Sequence, residues 1–303
     1  MDETVSLAPS VKPIHSNTRM KSFRLIRIIL STPKIAIPGG FLLFLVIVAI
    51  LAPLIAPHDP LDQDLMLVAR PPAGFKAAEQ GYLLGTDNLG RDVLSRLIFG
   101  TRIALIVAAV AAGFAALIGT VLGLLAGWYR GKVDAAISRL VDIWMSFPPV
   151  LLSILLVAVI GSGIVSVIAA IAIIDWTRFC RVIRAETMAQ AQQDYVLAAR
   201  AVGYPRVRIL LREIVPNITP VLLALVSLEM GIAVIVEAIL SFVGLSVSSD
   251  TPTWGGMIAE GRQYIYQTWW VLAAPLATLF ATVLSFNQLG EGLRRALDPV
   301  LRR

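Results

Sequence analysis

The sequence contains one cysteine, Cys180, and two histidines, His15 and His58. A single cysteine excludes an internal disulfide, and we interpret Cys180 as a small packing residue. The two histidines are far apart and have no cysteine cluster near them, so no metal site is predicted. The shortage of cysteine therefore excludes a fold stapled by internal disulfides.

Charge is also scarce. Only 15% of the 303 residues are charged and 57% are hydrophobic, whereas soluble domains carry about 25% charged residues. The apolar runs are long enough to cross lipid, for which about 20 residues are needed. We therefore predict an all-α polytopic membrane protein. The first 34 residues are polar and the first apolar run exceeds the length of a signal-peptide core, so no cleavable signal is expected.

The net charge of +6 does not indicate nucleic-acid binding, because the basic residues lie mainly at the ends of the apolar runs, where they orient a membrane protein. The hydrophobic pattern predicts six transmembrane helices. Their approximate ranges are 35–56, 102–128, 140–160, 164–184, 217–244 and 268–290.

The number of spans depends on the uncharged stretch 149–174, which is either one span or parts of two spans joined by a tight turn at Gly161-Ser162-Gly163. Six spans put 20 of the 26 Lys and Arg residues on the cytoplasmic side, whereas five spans give at best 16. The positive-inside rule favours six spans with both termini cytoplasmic. The largest internal loop then lies between the fourth and fifth spans.

That internal loop reads DYVLAARAVGYPRVRILLREIVPN over 194–217. Asp194 is a suitable N-cap for a short helix over 195–202, and Gly203 suits the left-handed position that ends it. Pro205 suits the first turn of a second short helix, reaching Ile214, with a hinge between the two. Because helices under about 12 residues are marginal alone, another surface must pack against the first one. Ala198, Ala199 and Ala201 allow close approach, although an amphipathic loop resting on lipid headgroups fits the same pattern.

The loop resembles a known signature. Ala198-Ala199, Gly203 and then, after twelve residues, Pro216 match the spacing of the EAA loop of permease subunits in binding-protein-dependent ABC importers. Leu197 and Glu213 depart from that signature, standing where a glutamate and an isoleucine are expected. Further stretches look like the dipeptide/oligopeptide/nickel permease group, and most like its C-type member. They are LGTDNLGRDVLSRLIFGTRIAL (84–105), EAILSFVGLS (237–246), PTWGGMIAEGR (252–262) and FNQLGEGLRRALDP (286–299).

The resemblance covers about residues 35–300 and implies the type I ABC importer permease fold. It implies a cytoplasmic tail over 1–34, a first transmembrane helix and external segment over 35–97, a permease core over 98–291 and a cytoplasmic tail over 292–303. The loop at 194–216 would couple the core to an ATPase subunit. The residues that the resemblance assigns to coupling are Tyr195, Ala198, Ala199, Arg200, Gly203, Tyr204, Pro205, Arg206 and Pro216.

The resemblance also implies partners: a homologous B-type permease forming a heterodimer, two ATPase subunits and an external substrate-binding protein, in the bacterial inner membrane. The cargo implied is a di- or oligopeptide or a similar small solute, and the sequence does not decide which. The chain itself has no Walker A loop, since the nearest stretch, 126–133, lacks the first glycine and the final Ser or Thr. No enzyme activity is predicted for it, and ATP and Mg²⁺ are expected on the ATPase subunits.

Two glutamates, Glu229 and Glu237, lie in the predicted fifth span. A charge at the bilayer centre costs about 2.5–3.5 kcal/mol on insertion scales, so such residues face protein or water. Each glutamate is therefore either a pathway group that attracts a substrate amino group or a partner in an interhelical hydrogen bond or ion pair. Ser241 is a further pathway candidate. Asn287, in the sixth span, is another, although an interhelical hydrogen bond suits it better.

Other polar and small residues predict local contacts. Asp175 and Arg178 are spaced to pair within the fourth span. Gly119 and Gly123 form a GxxxG pattern in the second span, which predicts close packing within the chain or with a partner permease. In the external segments, Asp87 suits the N-cap of an interfacial helix leading into the second span, and 252–254 (Pro-Thr-Trp) suits a lid on the membrane surface.

A self-sufficient secondary transporter or channel is the alternative function. Such proteins commonly contain internal repeats and interrupted helices around a site at the bilayer midplane. The sequence has no clear repeat, and six spans are few for a transporter that works alone.

Overall fold

The computed structural model of the protein describes residues 33–246 and 251–297, and these ranges form nine helices joined by turns and loops. The helices are α1 (Pro33–Ile55), α2 (Val93–Tyr129), α3 (Gly131–Met145), α4 (Pro149–Ile160), α5 (Ile164–Gln190), α6 (Asp194–Ala201), α7 (Arg206–Phe242), α8 (Trp254–Gln263) and α9 (Trp269–Leu297). A short 3-10 turn, Leu65–Leu67, lies in the long segment between α1 and α2. The all-α prediction is confirmed for the described residues.

Four helices are long and apolar enough to cross a membrane: α1, α2, α7 and α9. The pair α3 and α4 passes the same test together and counts as a fifth span if the bent pair crosses once. α5 is 27 residues long, but Asp175, Arg178 and Arg181 interrupt its apolar sequence. Length and composition alone therefore support four or five spans.

The predicted continuous helix over 140–160 is wrong. α3 ends at Met145, α4 begins at Pro149, and the two axes differ by 85°. The cause is the Pro148-Pro149 pair, because proline lacks a backbone donor and disfavours helical backbone in the residue before it. The predicted Gly161-Ser162-Gly163 turn is confirmed between α4 and α5, where Gly161 and Gly163 have φ values of 108° and 147°.

The centre of the bundle is the packing of α2 against α5, and three glycines of α2 allow it. A Cβ atom on Gly123 would lie 2.7 Å from the Cys180 carbonyl oxygen, and one on Gly127 would lie 2.7 Å from the Arg184 carbonyl oxygen. Gly119 meets the backbone of α5 in the same way, one turn earlier. The predicted small-residue stripe therefore packs within the chain, and Cys180 is buried beside it as predicted.

Around this centre, α7 packs against α2 and α9, and α1 packs against α2 and α9. The shared core includes Leu42 and Leu45 of α1, Ala104 and Ala108 of α2, Val234 of α7 and Phe286 of α9. The other face of α1 exposes large apolar side chains, among them Phe44, Ile50 and Leu54. Such a face suits contact with lipid.

Four charged residues join the two segments that are predicted to be external. Asp87 is buried and accepts hydrogen bonds from Arg91 Nε (2.7 Å) and Arg96 Nη1 (2.5 Å), and the same two guanidinium groups donate to Glu260 of α8. Asp87, Arg91, Arg96 and Glu260 are called the external ion network below. The prediction of Asp87 as an N-cap is wrong, since Asp92 caps α2 by accepting from the Ser95 N–H at 2.9 Å.

α8 is wedged into the bundle rather than laid on its surface, so the prediction of a surface lid is wrong for Trp254. That side chain is 1% exposed, and its Nε1 donates to the Leu97 carbonyl of α2. Gly255 lets α8 approach the backbone of α7 at Ala238, and Gly261 lets it approach the backbone of α9. The external ion network ties this wedge to the start of α2.

Candidate coupling loop and polar groups of the bundle

The short helix of the predicted internal loop is α6, Asp194–Ala201, and its range is confirmed to within one residue. The prediction of Asp194 as its N-cap is wrong. Gln193 occupies that position with extended backbone, and Asp194 lies in the first turn, where a carboxylate interacts favourably with the helix dipole. The carboxylate of Asp194 therefore stabilises the N-terminal end of α6 as a first-turn residue and not as its cap.

α6 is held by the chain itself. Val196 and Ala199 face inward and join a buried cluster with Ile183 of α5 and with Ile209 and Ile214 of α7. This apolar contact supplies the surface that a helix of eight residues needs in order to be stable. The loop is thus fixed relative to two long helices.

The turn after α6 follows the predicted backbone. Gly203 has φ of 86°, a left-handed conformation that a residue with a side chain adopts only with strain. Its N–H donates to the Arg200 carbonyl, and the Tyr204 N–H donates to the Ala199 carbonyl. Pro205 precedes the first turn of α7 and does not lie within it. This turn connects α6 to α7 without a flexible linker.

The predicted second short helix is wrong, because 206–209 continues through a π-helical stretch, Leu210–Ile214, into the rest of α7. Pro216 cannot donate to the preceding turn, and a π-helical adjustment next to a proline is one way in which a membrane helix accommodates it. Side chains contribute locally, since Asn217 Nδ2 donates to the Glu213 carbonyl at 2.6 Å. The only turn in this region is therefore the one at Gly203.

Eight of the nine predicted coupling residues are exposed, and Ala199 is the one that faces inward. Beside them lies a cavity of about 360 Å³ that is lined by Trp128, Tyr129, Arg200, Tyr204, Arg206 and Ile209. The Arg200 guanidinium lies 4.3 Å from the centre of the Trp128 ring, and the Arg208 guanidinium lies 4.3 Å from the centre of the Tyr204 ring.

Exposed apolar side chains continue this surface, including Val202, Val207 and Leu211. The loop thus presents apolar, aromatic and cationic groups together, a composition that suits contact with another protein.

Tyr195 connects the loop to the end of α5. Its hydroxyl donates to Gln190 Oε1 at 2.6 Å. Burial raises the pKa of the Tyr195 hydroxyl above its ordinary value, and the nearby Glu213 carboxylate raises this pKa to a smaller extent. The hydroxyl therefore stays protonated, and remains a donor, at neutral pH.

Glu237 and Ser241 belong to a buried hydrogen-bond network. Glu237, 1% exposed, accepts from Ser241 Oγ (2.6 Å) and Ser246 Oγ (3.2 Å). Thr253, the N-cap of α8, donates to Ser241 Oγ at 3.0 Å. The network joins α7, the segment that follows it and α8, and it is the interhelical bonding that was one of the two interpretations of Glu237.

Glu229 is fully buried, and its nearest cation is Arg178 of α5, whose Nη1 lies 3.7 Å from a carboxylate oxygen. The prediction that Arg178 pairs with Asp175 is wrong, since Arg178 reaches across to α7. Asp175 is itself buried close by. The three residues thus bring ionisable groups of α5 and α7 together within the apolar part of the bundle.

Asn287 makes no hydrogen bond to another described residue, so the predicted interhelical bond is absent from that part of the chain. Its side chain is exposed in a groove of about 350 Å³ between α5, α7 and α9. Charged residues that the sequence reasoning did not single out also line this groove: Glu186, Glu291 and Arg294. The spacing of Arg178, Val182 and Glu186, four residues apart on one face of α5, is the signal that points to Glu186.

Comparison with known proteins places this architecture. Residues 119–303 match the family described as binding-protein-dependent transport system inner membrane component. Residues 35–72 match the N-terminal transmembrane domain of oligopeptide transport permease C. Together the two matches cover α1 and most of the bundle.

Similar curated proteins extend over most of the chain. The di/tripeptide transport system permease protein DppC of Pseudomonas aeruginosa is 39% identical over 87% of this chain and 88% of its own length. The glutathione transport system permease protein GsiD of Pectobacterium atrosepticum is 38% identical over 87% of this chain and 86% of its own length.

The fold is also similar to solved structures. An inward-facing structure of the MetNI methionine ABC transporter matches with a TM-score of 0.56 and 21% identity over 67% of this chain and 96% of that chain. An amino acid ABC transporter matches with a TM-score of 0.53 and 18% identity over 67% and 95%. The fold and the family matches agree, and the chain belongs to the family of binding-protein-dependent transport system inner membrane components, as a permease subunit of an ABC importer.

Proposed function

We propose that this chain imports di- or oligopeptides, or similar small solutes, as half of a heterodimeric pathway completed by a B-type permease. Two ATPase subunits, which hold ATP and Mg²⁺, and an external substrate-binding protein complete the transporter. The single observation that carries the coupling role is the placement of α6 and the turn at Gly203. One face of this segment is exposed, while Val196 and Ala199 on the other face pack onto α5 and α7. A rigid exposed contact is what a partner subunit needs in order to move the spans.

In this proposal the chain crosses the bacterial inner membrane six times, by α1, α2, the bent α3–α4 pair, α5, α7 and α9, with both termini cytoplasmic. α5 is included because two of its charges are paired: Arg184 donates to Asp134, and Arg181 donates to Asp142 at 3.0 Å. Pairing offsets part of the cost of placing these guanidinium groups near lipid. The tails over 1–34 and 292–303, the external segment within 35–97 and the core over 98–291 keep the roles that the resemblance implies.

Coupling is assigned to the surface formed by Tyr195, Ala198, Arg200, Gly203, Tyr204, Pro205 and Arg206, supported from beneath by Ala199 and followed by Pro216 at the start of the apolar part of α7. Its apolar and cationic groups would seat in a groove of an ATPase subunit. Glu229, Glu237, Ser241 and Asn287 are the pathway candidates. Among them Asn287 is the one exposed within a groove of this chain.

The substitution Gly203→Val tests the coupling role. Valine at a φ of 86° carries strain of about 1–3 kcal/mol, and the added side chain enters the contact surface. We expect ATP-dependent uptake to fall about tenfold or more in vesicles that hold the complete transporter. The ATPase subunits should also co-purify less well with the variant.

Gly161→Val is the matched control, because Gly161 also has a positive φ and open surroundings but lies in the α4–α5 turn, away from the loop. It should keep both co-purification and uptake close to the unsubstituted level. Uptake that persists in Gly203→Val, driven by an ion gradient without ATP, would instead support a secondary transporter.

A further inference from the structure

The charged residues of α5 fall on two faces. Arg181 and Arg184 point to α3, where Asp142 and Asp134 neutralise them. Arg178 and Glu186 follow at four-residue intervals, with Val182 between them, on the neighbouring face. That second face borders the seam between α7 and α9. Ionisable groups of membrane helices that turn to such a seam commonly mark a water-filled or substrate-filled path.

The seam opens into the groove of about 350 Å³ described above, within the range of about 300–1,000 Å³ typical of small-ligand pockets. Its walls are apolar, with Val182 on α5 and Val221, Leu225 and Leu228 on α7. Its polar groups are Glu186 on α5 and, on α9, Asn287, Glu291 and Arg294. The groove is therefore an apolar trough with charges of both signs.

The state of those charges determines which ligand fits. Glu291 already accepts from Arg295 Nε at 2.7 Å. Neither Glu186 nor Arg294 has an ion pair with any residue in the described ranges 33–246 and 251–297. One carboxylate on α5 and one guanidinium on α9 thus line the same groove without a partner in the described ranges, and Asn287 adds an amide that both donates and accepts.

We propose that this groove is a passage subsite for a zwitterionic peptide, an inference that rests on the proposed function and adds to it. Glu186 receives the ammonium group of the peptide, Arg294 receives its carboxylate, and Asn287 bonds to the peptide amide. The apolar walls accept side chains of different sizes. The groove would therefore recognise short peptides by their charged ends, whatever their amino-acid sequence.

The test uses the complete transporter, with its binding protein, ATPase subunits and partner permease, in vesicles supplied with labelled dialanine. We expect Glu186→Gln and Arg294→Gln each to lower dialanine uptake about tenfold or more, since each removes one charge-assisted contact. ATP hydrolysis stimulated by the binding protein should stay within about twofold of the unsubstituted complex, because the coupling surface is intact. The double variant Glu186→Arg with Arg294→Glu restores one charge of each sign and should recover part of the lost uptake.

Arg139→Gln is the control, since Arg139 is an exposed arginine of α3 that does not line the groove, and uptake should be unchanged. Uptake within twofold of normal in both single variants would overturn the subsite. Loss of the assembled complex or of stimulated ATP hydrolysis along with uptake would also overturn it, by identifying the groove as an interface with the partner permease. If the unsubstituted transporter hydrolyses ATP but imports neither dialanine nor longer peptides nor glutathione, the proposed function itself fails.

Discussion

Replacing Gly123 by leucine should prevent the bundle from forming. A Cβ atom at this position meets the Cys180 carbonyl oxygen at 2.7 Å and Ile183 Cβ at 2.9 Å, and neither group can move without shifting the α5 backbone. Overpacking a well-filled core costs about 1–3 kcal/mol, and occasionally more. The cost should exceed that range here, because the whole of α5 must move away from α2. The measurement is the yield of monodisperse protein in detergent, which we expect to be lost.

Gly113→Leu is the matched control for this prediction. Gly113 lies on the same helix, yet nothing lies within 4 Å of the position where its Cβ would be. The same substitution there should give monodisperse protein in normal yield. If Gly123→Leu behaved like the Gly113 variant, the close contact between α2 and α5 would be contradicted.

Replacing Asp87 by asparagine should weaken the attachment of α8 to the start of α2 by about 3–5 kcal/mol, the usual effect of removing one partner of a buried ion pair. Asparagine keeps an oxygen that can accept from the Leu89 and Arg91 N–H groups, as Asp87 Oδ1 does now. It leaves the guanidinium groups of Arg91 and Arg96 with Glu260 as their one shared counter-charge in the network. A lower unfolding temperature in nanodiscs and faster proteolysis of the segment between α1 and α2 are the readouts.

The comparison variant for Asp87→Asn is Arg295→Gln, which breaks the exposed pair between Arg295 and Glu291. Exposed pairs contribute about 0–1 kcal/mol, so its unfolding temperature should hardly change. Equal unfolding temperatures for Asp87→Asn and the unsubstituted protein would show that the external ion network does not hold α8 to α2.

Features set by neighbouring residues could be predicted from the sequence, and features set by distant ones could not. The end of α6 was predictable because Gly203 and Pro205 each restrict their own backbone. The break before α4 had an equally local signal in Pro148-Pro149, but the hydrophobic pattern over 140–160 was interpreted as one continuous span. Hydrophobicity marks where a chain can cross lipid and says little about bends within the crossing.

The partners of charged residues, by contrast, could not be predicted from the sequence. Arg178 was expected to pair three residues away with Asp175, yet it contacts Glu229, more than fifty positions later. Glu260 meets Arg96 over a separation of 164 residues. Trp254 was expected at the membrane surface because tryptophan is enriched there. Packing between α2 and α7 buries it instead. Only the three-dimensional arrangement of the helices brings such groups together.

The unbroken course of α7 has a mechanical consequence. Its 37 residues, at a rise of about 1.5 Å each, give a helix about 55 Å long. One end of this helix adjoins Gly203. α8 packs against α7 near its other end, at Ala238. In the proposed transporter, a push on the end of α7 beside Gly203 would therefore be transmitted along a single helix to its contact with α8, with no separate element between them.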